Sequence, residues 1–195
     1  MNDWTAGYVA DIGYTPGYYA ELNPLRSQLP LLYAGWAPPQ FENACELGFG
    51  QGVSINLHAS ASDVGWWGTD FNPSQAAFAQ SLAQGANNIR VSDEAFADFC
   101  NRPDLPDFDF IGLHGIWSWI SDANRAVIVD FLRRKLKVGG VVYVSWTEKD
   151  AKGTTIFVRA FDPKSGAAPP GILAAPRAAT AGSVAASARS EEHTS

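Results

Sequence analysis

Glu46-Leu47-Gly48-Phe49-Gly50-Gln51-Gly52, preceded by Phe41-Glu42-Asn43-Ala44-Cys45 and followed by a helical run from Val53, decides how the rest of the chain folds. A strand that turns into a helix through three glycines leaves backbone N–H groups free at the positive end of a helix dipole, with no Cβ to hold a ligand away. Such a turn cradles a bound cofactor and belongs to a βαβ unit, so it predicts an α/β fold with a mostly parallel sheet. The chain's 195 residues suit one such domain with a real core, and 46% hydrophobic with 12% aromatic residues is a globular composition.

Two details narrow the cofactor. The glycines run G-x-G-x-G, with Val53 where a dinucleotide fold carries its third glycine, and that weakens a nicotinamide reading. Glu46, two positions before the first glycine, repels a pyrophosphate but can hold a cationic amino group. S-adenosylmethionine has such a group and no phosphate. An NAD-dependent oxidoreductase is the weaker alternative.

Outward from the glycines, Val53 to Ala61 is predicted as a helix and Val64 to Asp70 as the second strand. Asp70 lies 18 residues beyond Gly52, close to the roughly 20 at which a βαβ unit brings a carboxylate to the ribose hydroxyls of an adenosine cofactor. Phe71 would flank the same pocket. The other reading of Asp70 is a turn or cap residue, since Asn72-Pro73-Ser74-Gln75 has the signature of a helix start. That helix is predicted over 73–86 and the third strand over 88–92, ending at Asp93-Glu94-Ala95-Phe96. Asp93, with Glu94 and Ala95 beside it, can accept from the exocyclic amine of adenine while a neighbouring N–H reaches a ring nitrogen; its bland role is to cap the segment 94–100.

Phe108 to Gly115 reads as the fourth strand, so His114 and Gly115 stand at the carboxyl edge where open α/β sheets bind ligands. His114 is thus a candidate general base or pocket wall, against the commoner role of a hydrogen-bonded structural histidine. Ser121 or Asp122 caps an amphipathic helix over 123–137, with Val127, Ile128, Phe131, Leu132 and Leu136 on its buried side. Arg133, Arg134, Lys135 and Lys137 suit the negative end of its dipole, Gly139-Gly140 stops it, and 141–145 is an apolar fifth strand.

E-L-G-F-G-Q-G, G-T-D-F-N, V-S-D-E-A-F and L-K-V-G-G-V-V-Y-V-S, in this order over about residues 40–146, resemble class I S-adenosylmethionine-dependent methyltransferases. F-D-F-I-G-L-H-G-I-W-S-W-I-S is similar to the H-G-x-[YW]-S-W run of bacterial methyltransferases that carry an appended methyltransferase-regulatory domain. The resemblance implies a Rossmann-like fold, S-adenosylmethionine contacts at Glu46, Gly48, Gly50, Asp70 and Asp93, and an acceptor site around His114 and Trp117. It leaves the acceptor unnamed. Phe49 and Gly52 of the same turn are further cofactor candidates, and Gly115, Tyr8 and Tyr19 further acceptor-pocket candidates. In that family the chain continues past the fifth strand with a Tyr-Asn-x-x-Pro-Gly-Trp-like stretch, and this sequence departs from it at Trp146-Thr147-Glu148-Lys149, which implies a fold incomplete at the C-terminus.

The flanks are less regular. Residues 1–40 interleave aromatic rings with glycines and prolines, which suggests a cap over the open sheet face or a lid carrying Tyr8, Asp11 or Tyr19 to the site; a helix fits Leu25 to Gly35. From Pro163 to Arg189, 20 of 27 residues are Ala, Pro, Gly or Ser, a composition that cannot close a core. The last seven residues read like translated adapter sequence, so His193 is no expected metal ligand. Within the expected tail over 147–195, Ile156 to Phe161 could still add a sixth strand.

Residues 1–146 hold 8 Lys and Arg against 15 Asp and Glu, a net charge of −7, so a nucleic-acid partner is not expected. Cys45 and Cys100 have neither metal nor disulfide spacing and are expected to be buried thiols. No signal segment or membrane span is evident, which suggests a cytoplasmic protein. The functional alternatives are an active methyltransferase and a module that binds the cofactor without transferring from it.

Overall fold

Asn43-Ala44-Cys45-Glu46-Leu47, buried on both faces from Ala44 onward, makes a central strand paired on both sides. The computed structural model describes residues 17–147 and 154–160. A 3-10 turn over Ala20–Leu22 leads into α1 (Pro24–Tyr33), whose N-cap Asn23 accepts from the Leu25 N–H. Strand β1 (Asn43–Leu47) is followed by α2 (Val53–Ser60), β2 (Gly65–Thr69), α3 (Pro73–Leu82), β3 (Ile89–Ser92) and the single-turn α4 (Phe96–Phe99). Then come β4 (Phe108–Leu113), a 3-10 turn over Trp117–Trp119, α5 (Asp122–Lys135), β5 (Leu136–Thr147) and β6 (Thr154–Ala160).

The sheet order is β3-β2-β1-β4-β5-β6, parallel from β1 to β5, with β6 antiparallel to β5. Chain direction out from β1 reverses between β2 and β4, so the switch point where such sheets bind ligands lies at the tip of β1. Alternate residues feed two cores. Cys45, Leu47, Ile111, Val142 and Val144 pack with Phe96, Phe99, Ile128 and Phe131 under α4 and α5. Ala44, Phe110, Val141 and Tyr143 pack with Ile55, Ala59, Ala76 and Ala79 under α2 and α3, where Leu22 and Leu31 also insert. This is the α/β fold with helices on both faces that the pattern predicts, and Cys45 and Cys100 are free and buried in it.

Several boundaries differ from expectation: α3 stops at Leu82 instead of 86, β4 stops at Leu113 and leaves His114 and Gly115 just past the strand, and β5 runs over Leu136–Thr147 instead of 141–145. The last helix ends at Lys135, not 137, and Leu136 leaves it in an extended conformation to pair with Phe108. Leu136 is buried as a strand residue, and Gly139 and Gly140 lie inside β5 next to a register shift instead of stopping a helix. A Cβ on Gly140 would meet backbone oxygens of Lys137 and Asp109 at 2.9 and 3.1 Å, so the glycine permits close strand passage there. The basic cluster does more than face the dipole: Lys135 donates to the Leu105 carbonyl, Arg134 to the Cys100 carbonyl, and Lys137 to the buried Asp109 carboxylate. Asp109 in turn accepts from the Glu42 and Asn43 N–H groups at 2.9 and 3.0 Å, which fixes the start of β1.

Helix α3 begins as expected, with Pro73 in its first turn and the Asn72 side chain accepting from Ser74 and Gln75. The sixth strand exists as Thr154–Ala160. Tyr8, Asp11, the region 161–195 and with it His193 lie outside the described residues. Among the described residues, no helix is long and apolar enough to cross a membrane and no group of His, Cys, Asp and Glu could hold a metal ion.

Candidate functional site

The chain rises out of β1 through Gly48, Gly50 and Gly52, at φ of +73°, +58° and +70°, a region L side chains rarely adopt. Space adds to the demand: a Cβ on Gly48 would stand 2.8 Å from the Ile116 side chain, and one on Gly52 would overlap the Ala79 methyl. The Gly48 N–H donates to the Thr69 carbonyl and the Gly52 N–H to the Phe49 carbonyl, so the turn is closed on itself and against β2. Its outer surface faces a cavity lined by Tyr19, Leu22, Glu46, Gly48, Phe49, Gly50, Gly52, His114, Gly115, Trp119 and Ser145, among others.

Glu46 sits at the floor of this cavity, 2% exposed, in register with Gly68 on one side and Gly112 on the other. Its Oε2 has no hydrogen-bond partner among the described residues. Burial, then the nearby Asp70 carboxylate, pushes its pKa up to about 8. A buried polar atom without a partner costs about 1–3 kcal/mol, a cost that a polar ligand atom placed against Oε2 would remove.

Asp70 takes a different position. It is buried at the tip of β2, its Oδ2 accepts from the Gly50 N–H at 2.8 Å and its Oδ1 from the Asn72 N–H at 3.0 Å. Burial raises its pKa to about 6, while those two hydrogen bonds pull the other way. It braces the glycine turn from behind and is not among the cavity-lining residues, nor is Phe71. Asp93 is exposed beyond β3, and Glu94 spends its carboxylate on Ser92 and on Arg102 at 2.8 and 3.0 Å. The Glu94 carbonyl accepts from Thr69, which ties the post-β3 segment carrying Ala95 to the tip of β2.

On the other flank, His114 Nδ1 lies 3.2 Å from both the Tyr143 hydroxyl and Ser145 Oγ, and Ser145 Oγ accepts from the Gly115 N–H at 2.8 Å. The Tyr19 ring covers the imidazole at 4.2 Å between centroids, and its N–H donates to Ser54 on α2. Burial holds the His114 pKa below the usual imidazole value. Trp117 points elsewhere: Arg125 stacks on its ring and donates to its carbonyl. Trp119, two positions on, lines the cavity in its place.

The structure therefore gathers Tyr19, Glu46, Gly48, Phe49, Gly50, Gly52, His114 and Gly115 around one cavity. It sets Asp70 behind the turn, and Phe71, Asp93, Glu94, Ala95 and Trp117 outside the lining. The wall residues that the sequence did not single out as site residues are Gly17, Leu22, Gln51, Val53, Trp119 and Ser145. For Ser145 a signal existed, since it stands at the carboxyl end of a parallel strand beside His114. Nothing in Trp117-Ser118-Trp119 says which indole of the 3-10 turn faces inward.

No protein-family model matches the chain. It is 46% identical over 149 residues to uncharacterized protein sll1526 of Synechocystis sp., covering 73% of this chain and 29% of that protein. An uncharacterized protein of Rickettsia prowazekii is 27% identical over 117 residues, covering 57% of this chain and 46% of that one. The chain thus spans less than half the length of these relatives. Among solved structures it is similar to PKMT2 from Rickettsia typhi in complex with AdoHcy, with a TM-score of 0.63 at 22% identity, over 71% of this chain and 27% of that one. It is also similar to the plantazolicin methyltransferase BpumL in complex with SAH, with a TM-score of 0.54 at 12% identity, over 67% and 47% of the two chains. These likenesses establish that the chain has the Rossmann-like fold found in those two structures.

Proposed function

We propose that this chain binds S-adenosylmethionine and belongs to an enzyme that transfers its methyl group to an acceptor. The single observation that carries the reading is the buried Glu46 carboxylate, with Oε2 unpartnered among the described residues, at the floor of a three-glycine turn. A ligand that suits it must bring a cationic donor to Glu46 and must present no phosphate beside that buried carboxylate. The amino acid end of S-adenosylmethionine meets both demands. That proteins of this fold have been crystallised with AdoHcy and SAH supports the same choice.

In this reading Glu46 takes the ammonium group, the glycine turn, whose Gly48, Gly50 and Gly52 N–H groups are already spent on Thr69, Asp70 and Phe49, offers its backbone surface to the nucleoside, and Asp70 holds the turn in shape through Gly50. Asp70 also stands directly after β2, 18 residues past Gly52, where such folds carry the acid that meets the ribose. When bound, the cofactor supplies a methyl group on a sulfonium, which is transferred by in-line displacement. What the protein contributes is register and a dry wall: Tyr19, Leu22, Phe49 and Trp119 exclude water, and no described residue has to form a covalent bond. The net charge of −7 over residues 1–146 disfavours nucleic acid as the acceptor.

Calorimetric titration with S-adenosylhomocysteine and, separately, with NAD tests the reading. Binding of the first and not the second is expected; the reverse refutes it. Transfer of a radiolabelled methyl group to candidate acceptors then separates an active enzyme from a module that only binds.

A further inference from the structure

Among the described residues, the walls of the cavity contain one carboxylate and no ammonium or guanidinium group. Glu46 is there, but among the described residues neither Lys nor Arg lines it. An amino acid end carries a carboxylate as well as an ammonium, and that carboxylate needs donors. Gly112 is paired in register with Glu46, and His114 lies two residues further along the same strand line, about 7 Å on at the usual rise per residue. The two charged groups of an amino acid can span that gap with hydrogen bonds at each end.

Which nitrogen of His114 holds the proton follows from counting. Tyr143 is 1% exposed and Ser145 0%, so their hydroxyl protons must be donated inside the protein. The Gly115 N–H already occupies Ser145 Oγ at 2.8 Å. With Nδ1 bare, that nitrogen and the oxygens can absorb both O–H groups. With Nδ1 protonated, three protons compete for two oxygens, one of them already accepting, and a buried O–H is stranded. The lowered His114 pKa agrees with a neutral ring.

Resting on the proposed cofactor reading, we propose that Tyr143 and Ser145 lock His114 as the Nε2–H tautomer and that its Nε2–H donates to the carboxylate of the ligand's amino acid end. His114 is then a binding residue and not a general base, and Tyr143 and Ser145 are positioning residues. An acceptor must accordingly reach the methyl group with its lone pair already free, with no proton passed to His114.

Two measurements decide it. Long-range proton–nitrogen correlation spectra of the histidine-labelled chain, with the His114 signals assigned by their loss in H114A, report the tautomer directly. Unprotonated Nδ1 and protonated Nε2 are expected, shifting toward a mixture in Y143F and S145A; a protonated Nδ1 in the native chain overturns the proposal. The second is the affinity of native and H114A chains for S-adenosylhomocysteine and for methylthioadenosine, which lacks the amino acid end. H114A is expected to weaken the first by roughly tenfold to a hundredfold, the loss of one hydrogen bond to a charged group. Methylthioadenosine binding should stay unchanged, which also shows that the variant is folded. Equal losses for both ligands overturn the carboxylate assignment while leaving the cofactor reading intact. If neither ligand binds the native chain, the cofactor reading itself fails and the carboxylate assignment with it.

Discussion

Replacing Glu46 with glutamine separates what that residue does for the fold from what it does for a ligand. Shape and burial are kept, and only the ionisable oxygen is lost. In the free protein the carboxyl titrates at about 8, against 4.5 for the ordinary group, because burial opposes its charge. A raised folded-state pKa contributes stability that is complete below the unfolded value and is lost as pH rises from about 4.5 through about 8. E46Q should therefore be no less stable than the native chain at pH 7 and more stable at pH 9. For a cationic ligand the sign reverses. Pairing a buried carboxylate with an ammonium is worth about 3–5 kcal/mol when one partner is removed, less about 1.4 kcal/mol for ionising Glu46 a unit below its pKa. The net of about 2–4 kcal/mol is a loss of roughly thirtyfold to a thousandfold in affinity. Calorimetry with S-adenosylhomocysteine at pH 7 measures it, beside thermal melts at both pH values. Native-like affinity in E46Q, or a variant destabilised at pH 9, would refute the reasoning.

Three further outcomes follow from the packing. G52A should destabilise the chain more than G50A in urea titrations, because both force a side chain to positive φ, about 1–2 kcal/mol, but only at Gly52 does the new Cβ overlap Ala79; equal costs would contradict this. His58 is 4% exposed with neither ring nitrogen partnered among the described residues, and burial lowers its pKa to about 4. The fold should then lose stability as pH falls from about 6.5 toward 4, and H58F should flatten that slope in thermal melts at pH 5 and 7.5. D109A removes the acceptor for Glu42, Asn43 and Lys137 and should cost about 3 kcal/mol, whereas K137M, at the half-exposed end of the pair, should cost under about 1 kcal/mol by chemical denaturation.

The glycine turn was legible because its chemistry is local: positive φ and close approach admit little but glycine, and a carboxylate before it can serve few ligands. Strand identity was legible for a similar reason, since Phe110-Ile111 and Val141 to Val144 are apolar on both faces and only a covered parallel sheet accepts that. The end of α5 was not. Leu136 and Lys137 are good helix formers, and what draws them into β5 is tertiary: pairing with Phe108 and the Lys137–Asp109 contact across 28 residues. Asp93 and Glu94 looked alike in sequence. Arg102, eight residues on, engages Glu94 and leaves Asp93 in solvent, a choice no periodicity records.

In the proposed function, Glu46 gives up its proton when a cationic amine arrives. Calorimetric binding of S-adenosylhomocysteine at pH 7, repeated in buffers of different ionisation enthalpy, counts the protons exchanged. Release of close to one proton per ligand, abolished in E46Q, is the predicted result, since a group with a pKa of about 8 is mostly protonated in the free chain. Binding with no proton release, or with uptake, would contradict the account.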